Sequence, residues 1–539
     1  MSKKINRRKF LKDCSLITTG TFLAGSPALT SCQVQEKATK GTVVIDPEPQ
    51  FEISPYFYMQ FMEPLGSTDG SVDAAWDYDR DDWREDVIDT VKDLAPGTIR
   101  WGGAFVRYYK WREGVGPFKD RPPMYNYVWG GMETNRVGTY EFNDFCRRVG
   151  AEPLIAINLL SDGIKGYWKT IHGENRSGDA REAADWVSYA NDPENRERLR
   201  HGHREPYNIK LWQLGNETSY VYDQGFTLDQ ACEKAFEYSK AMKERDPSIH
   251  IIGWGDVKDP EKLNPQTPKD DPDIQFWAGK MLERAGEYLD LISMHMMGIY
   301  PRNDTLITGF EYQKDPEAAW EKLLELSDVA DFRIKAMKEE LASAQSGIGI
   351  AVTEGHLSLQ PYNANMILTE WLSAVYHARI MNTYLRHADR VKICTGADFC
   401  GTRWTVNAVM MPVPRGKSFL LPIGIIMRLY KRRGGNQGLR VESTPSGIDI
   451  AATRRGNTVC LHVLNTNFRS PVRTTIEVKG KKITGGRVFE IAPEDARAYV
   501  NQSRPDALDP VEKPLTGESN PGWTFPARSV SVVQLDLEE

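Results

Sequence analysis

No apolar run in this chain reaches the roughly 20 residues of a membrane-spanning helix, so the sequence predicts no transmembrane helix. Cysteine is scarce and scattered. Of seven, Cys14 and Cys32 fall in the N-terminal segment. Cys146, Cys232, Cys394, Cys400 and Cys460 remain, an odd number with no Cys-x-x-Cys pair and no Cys/His spacing of a metal site. They are expected to be small buried apolar side chains. Excess basic charge is also lacking: a net charge of -6 argues against nucleic acid or another anionic polymer as partner. There is no internal repeat or stalk-like Pro/Thr tract, which counts against an adhesin or structural lipoprotein. No Gly-rich phosphate fingerprint opens the chain's alternating pattern: Gly102-Gly103 come after its second strand and lack the rest of that motif. This disfavours a doubly wound open sheet.

What is present begins with a signal-like leader. Asn6-Arg7-Arg8-Lys9-Phe10-Leu11-Lys12 reads as a twin-arginine n-region, a mildly apolar stretch continues to Ser31, and Leu29-Thr30-Ser31-Cys32 resembles a bacterial lipobox. The expectation is an exported protein, periplasmic or anchored to an envelope membrane by lipid on Cys32, with a flexible tether from Gln33 to about Thr42. Removing residues 1–31, which are rich in Lys and Arg, would leave the mature chain more acidic still.

Beyond the leader, short continuous apolar runs alternate with helical stretches. The runs are Tyr56–Phe61, Thr98–Trp101, Leu154–Asn158, Tyr207–Glu217, His250–Trp254, Leu289–His295, Ile348–Glu354 and Val391–Cys394. Continuous runs fit strands of a parallel sheet buried on both faces. Eight of them, separated by helices, predict a TIM (β/α)8 barrel with long loops after its strands. Past about Pro412 the pattern becomes alternating, as in Val459-Cys460-Leu461-His462-Val463-Leu464, with Gly/Pro/Asn turns between runs. That predicts a C-terminal antiparallel β-sandwich, which the N-terminal strands could join. The expected organisation is therefore a leader over 1–31, tether and N-terminal strands over 32–50, the barrel over 51–410 and the β-sandwich over 411–539.

Barrel enzymes carry their chemistry at the C-terminal ends of the strands. The fourth run ends in Gly215-Asn216-Glu217 and the seventh in Thr353-Glu354. Two carboxylates delivered to one barrel mouth are what glycoside hydrolysis requires, one to give a proton and one to attack or to activate water. Taken singly, Glu217 could be a first-turn helix charge, and Glu354 a loop carboxylate paired with His356 or an arginine; the pair is more specific. Glu63, Arg100, Asn158 and His295 lie in or just past other strands and could bind sugar hydroxyls. Trp101, Tyr108, Trp111, Trp129, Trp212 and Trp404 could stack on sugar faces.

Several segments resemble the family 51 glycoside hydrolases, the α-L-arabinofuranosidases of clan A. They are Glu63-Pro64-Leu65-Gly66, Ile99–Phe105, Trp111–Pro117, Asn135–Thr139, Glu152–Leu159, Glu182–Val187 and, above all, Trp212-Gln213-Leu214-Gly215-Asn216-Glu217. The resemblance is dense from about Pro55 to Ser219 and loose afterwards. It implies Glu217 as acid/base, Glu354 as nucleophile, Asn216 as a hydrogen-bonder to the sugar 2-hydroxyl and Glu63 as a carboxylate gripping arabinose. It also implies a retaining exo-glycosidase acting on an arabinose-containing glycan, with no metal or organic cofactor. The sequence leaves the oligomeric state open, a homo-oligomer included. Three positions depart from the family pattern: Ala104 where Asn is usual, Gly355 where Trp follows the nucleophile, and Met297 where a Tyr supports it. These departures point to a change of sugar within clan A as the alternative. A non-catalytic carbohydrate-binding lipoprotein would not need both Glu217 and Glu354.

Overall fold

The computed structural model describes residues 39–539, apart from 168–174, 220–224, 258–275, 300–304, 362, 415, 517–519 and 539. Eight parallel strands hydrogen-bond in chain order: β1 (Met59–Met62), β2 (Thr98–Trp101), β3 (Glu152–Ile157), β4 (Leu211–Leu214), β5 (His250–Trp254), β6 (Leu291–Ile299), β7 (Gly349–Ser358) and β8 (Val391–Ile393). The last meets the first: Met59 N donates to Cys394 O at 2.9 Å and Cys394 N to Phe57 O at 2.7 Å. The result is a TIM barrel.

The strands read as continuous apolar runs because both faces are covered. Met59, Phe61, Leu154, Leu211, Ile252, Ala351 and Ile393 form a cluster of their own, which fills the ring as barrel interiors require. The residues between them pack outward in the main core beneath the helices. Alternation then carries the inward direction to Glu63, Arg100 and Gln213 at the strand ends. In β7 the pairing with β6 slips between Met294 and His295, so that Val352 faces Met294 but Glu354 faces His295. The extra residue, Thr353, reverses the alternation that starts inward at Ala351, and Glu354 thereby turns into the barrel beside His295.

The last helix of the barrel region, Pro422–Arg433, is almost wholly buried along Pro422, Ile423, Ile425, Ile426, Leu429 and Tyr430. The C-terminal β-sandwich is therefore entered at Gln437 and not at 411. Its nine strands bond in the order Val511–Leu515, Ile483–Ile491, Val530–Leu537, Thr458–Asn465, Ile448–Arg455, Gln437–Ser443, Thr39–Glu52, Val472–Val478, Gly522–Phe525. They enclose a second core that includes Val459, Leu461, Val488 and Val533. The tether expected up to about Thr42 is corrected for its described part. Residues from Thr39 onward pair in parallel with Val472–Val478, and from Val44 onward antiparallel with Gln437–Ser443, because Val43 and Ile45 bury their side chains in this core. Cys146, Cys232, Cys394, Cys400 and Cys460 are all buried and free. Among the described residues no helix is long and apolar enough to cross a membrane.

Candidate active site

The end of β4 sets the site. All of Leu211–Leu214 is buried, and the chain then turns through Gly215 (φ 63°) and Glu217 (φ 54°). A left-handed conformation at a glutamate costs on the order of 1 kcal/mol or more, and here it aims the carboxyl into the barrel mouth. His295 Nδ1 lies 2.9 Å from Glu217 Oε1 and 3.5 Å from Glu354 Oε2. One oxygen of each glutamate and this nitrogen all lie within 4.8 Å of one another.

Arg100, fully buried, organises the other side. Its Nη1 donates to Glu354 Oε1, its Nη2 to Asn216 Oδ1 and its Nε to Gln213 Oε1, each at 2.7 Å. One planar fork thus fixes the end of β7 and the turn after β4 together. The arginine partner for Glu354 is accordingly Arg100; His356 instead places Nδ1 2.7 Å from Asp398 Oδ1.

Glu63 accepts from Trp129 Nε1 at 2.8 Å and from Phe105 N at 3.1 Å. A side chain at Gly103 (φ 125°) would collide with it, since a Cβ there would stand 2.1 Å from the Glu63 carboxyl carbon. This is the reason for a glycine in that turn.

Electrostatics divide the groups. Burial, then the charge of Glu354, pushes the Glu63 carboxyl well above the usual range. Burial also raises Glu217, opposed by Arg107, Arg100 and His356. Burial lowers His295 to about 3, against the pull of Glu354, so the imidazole is neutral. Among the described residues its buried Nε2 has no hydrogen-bond partner, and a lone pair is less costly to leave there than an N–H, which favours the tautomer with the proton on Nδ1, facing Glu217. For His356, burial works against the charge, but Asp398 and then Glu354 and Glu217 outweigh it and raise the imidazole.

Glu217, Glu354, Asn216, Arg100 and His295 thus meet directly, and Glu63 reaches them through the field of Glu354. Asn158 does not join this contact group. Its amide donates to the Arg176 and Tyr109 carbonyls and accepts from Ser161 N at 2.9 Å, tying loops together. Of the aromatics, Trp101, Tyr108, Trp111 and Trp212 are core residues. Trp129 lies against Glu63, with Trp404 edge-on to it at 5.4 Å. Two charged residues that sequence reasoning missed stand behind Glu217. Arg107 Nη2 is 3.7 Å from Glu217 Oε2, and Arg107 Nε is 3.1 Å from Asp162 Oδ2. Both lie in short turns just past β2 and β3, and their position past strand ends was the available signal.

Two glutamates converging from the ends of the fourth and seventh strands of a TIM barrel are the arrangement that a glycoside hydrolase of the two-carboxylate type requires. Residues 90–306 match the family model of the α-L-arabinofuranosidase 1 domain. The chain is 35% identical over 263 residues to an intracellular exo-α-(1→5)-L-arabinofuranosidase of Acetivibrio thermocellus, a match covering 47% of each chain. It is 30% identical over 367 residues to the enzyme of the same name from Halalkalibacterium halodurans, covering 65% of this chain and 68% of the relative. The solved α-L-arabinofuranosidase of Thermotoga maritima in complex with arabinose superposes with a TM-score of 0.70 at 25% identity, covering 92% of this chain and 100% of that one. The chain belongs to family 51 of the glycoside hydrolases. These relatives also correct the expected export and lipid anchoring: both curated enzymes are named intracellular. The expectation rested on Arg7, Arg8 and Cys32, which lie outside the described residues; a short basic run and one cysteine are not specific to export.

Proposed function

We propose that the protein is a retaining, exo-acting glycosidase that removes terminal α-L-arabinofuranosyl residues from arabinose-containing glycans, (1→5)-linked ones among them. The observation that carries this reading is the approach of Glu217 and Glu354, with one oxygen of each within 4.8 Å. Retaining enzymes hold their carboxyl groups about 5 to 5.5 Å apart, whereas inverting ones leave room for a water between them. In the first step Glu354, kept in place by Arg100, attacks the anomeric carbon as Glu217 gives its proton to the departing oxygen. In the second, Glu217 takes a proton from a water molecule, which displaces the sugar from Glu354 and restores both groups. Asn216, oriented by Arg100, suits the sugar 2-hydroxyl. Glu63 suits a further hydroxyl as a hydrogen-bond partner.

A second reading, a different sugar, is favoured by Gly355. A Cβ there would stand 2.7 Å from the Thr395 carbonyl, so the space taken by the family's Trp is closed at this point. Both readings are tested with a panel of aryl glycosides and arabino-oligosaccharides, following the anomer first released by NMR. Retained configuration and a clear preference for α-L-arabinofuranosides are expected. E217Q and E354Q are expected to fold and to lose about 10³-fold or more in turnover. Inversion, or either variant turning over at the wild-type rate, would remove the assigned roles.

A further inference from the structure

The two-step hydrolysis gives no part to Arg107 and Asp162, although both are buried beside Glu217. Arg107 ends the turn Ala104–Arg107 after β2, and Asp162 lies in the turn Leu160–Gly163 after β3. Asp162 is fully buried and accepts from Arg107 Nε at 3.1 Å and from Asn216 N at 3.3 Å. To reach that place the chain runs through three successive left-handed residues, Leu160 (φ 47°), Ser161 (φ 53°) and Asp162 (φ 50°). Such strain persists only where the surroundings over-determine it, and it gathers at functional sites. Arg107 Nη2 donates to the Asn216 carbonyl at 3.2 Å and stands 3.7 Å from Glu217 Oε2. The two oxygens of Glu217 therefore have separate partners, His295 for Oε1 and Arg107 for Oε2.

Resting on the acid/base role given to Glu217, we propose that Arg107, braced by Asp162, is a positioning residue that holds the Glu217 carboxyl in the mouth and tunes its readiness to release a proton. The charged and titratable groups around Glu217 are Arg100 and Arg107 from the β2 side, Asp162 after β3, His295 on β6, and Glu354 and His356 on β7. Arg107 is first among those that oppose the effect of burial on Glu217. A general acid must be protonated to act, so the alkaline limb of the pH profile of kcat/KM follows it.

Arg107→Met removes the cation. The limb should then move to higher pH by about one unit or more, as for any carboxyl that loses an opposite charge within about 4 to 6 Å. Arg107→Lys keeps the charge and should keep the limb near its wild-type position. Above about pH 7, the value to which burial raises Asp162 against the pull of Arg107, Asp162→Asn removes an anion from the far side of Arg107 and should move the limb to lower pH. The assay is hydrolysis of an aryl α-L-arabinofuranoside across pH, with thermal melts on every variant. Should Asp162→Asn fail to fold, Met against Lys at position 107 still decides. A lowered kcat with the limb unmoved in Arg107→Met, or shifts of the same sign in Arg107→Met and Asp162→Asn, would overturn the proposal. E217Q separates the two readings: if it is inactive while the Arg107→Met limb stays in place, only this proposal falls. Wild-type turnover in E217Q would remove the acid/base role itself.

Discussion

Arg100→Lys is the sharpest test of how the site is built, because it keeps the charge and removes only the geometry. The guanidinium serves three buried acceptors, Glu354 Oε1, Asn216 Oδ1 and Gln213 Oε1, each at 2.7 Å. An ammonium at the end of a flexible stem can meet one of these directions and leaves the other two unserved. Hydrogen bonds to charged groups contribute about 1.5 to 3 kcal/mol each. Two lost bonds amount to about 3 to 6 kcal/mol before relaxation, so a stability loss of about 3 kcal/mol is expected in urea unfolding. The functional loss should be larger than retention of charge would suggest. Glu354 and Asn216 are aimed by the same fork, and misplacing a reacting group by about 1 Å can cost about 10²-fold. The assay is kcat/KM on an aryl α-L-arabinofuranoside, together with trapping of the glycosyl-enzyme on Glu354 by mass spectrometry. If Arg100→Lys held kcat/KM within about threefold of wild type, the barrier would have changed by well under 1 kcal/mol. The claim that one fork positions both strand ends would then be refuted.

Two further outcomes follow from the packing. Gly103→Ala should raise KM and lower the melting temperature, since its Cβ would press on the Glu63 carboxyl and its φ of 125° suits glycine; unchanged binding of arabinose would contradict this. His377, buried and with neither ring nitrogen hydrogen-bonded among the described residues, is lowered to about 3 by burial. Its folded pKa lies below the unfolded value of about 6.5, so the unfolded chain takes up a proton that the folded one refuses, and stability falls as pH drops from about 6.5 toward 3. His377→Leu should relieve about 1 kcal/mol of that loss per pH unit. Urea titrations at pH 7 and pH 5 would show it, and an unchanged pH slope would sink the idea.

The barrel was legible because its strands are buried on both sides. A run such as Ile155-Ala156-Ile157 has no polar face to disguise it, and the eight runs come in the order in which they pair. Glu217, Glu354, Arg100 and His295 were legible for a related reason: polar residues at the end of an apolar run stand out. The bulge at Thr353 was not, since register belongs to the pairing of two strands and neither sequence records it. Arg107 and Asp162 escaped because they sit in turns with no periodicity, and charges in turns are ordinarily solvated. Asn158 looked like a sugar contact by position, yet its amide is occupied by three backbone groups. The helix Pro422–Arg433, buried along most of its length, lacks a clear polar face, so the sequence does not mark the start of the sandwich at Gln437.

The first described strand has a consequence for synthesis. Thr39 pairs with Val472, about 430 residues further along the chain. At about 5 to 20 residues per second, that end of the strand waits roughly 20 to 90 seconds for its neighbour to be made. During this interval the barrel's own strands all emerge, each next to a partner already in line. The nascent chain therefore carries Thr39–Glu52 as an open hydrogen-bonding edge while the barrel assembles, and such an edge invites pairing with other chains. Val43 and Ile45 are also exposed over that period, being buried only in the finished sandwich. The last fifth of the chain thus acts as a lock on the first strand, and a ribosome stalled before Gln437 would display that strand without either partner.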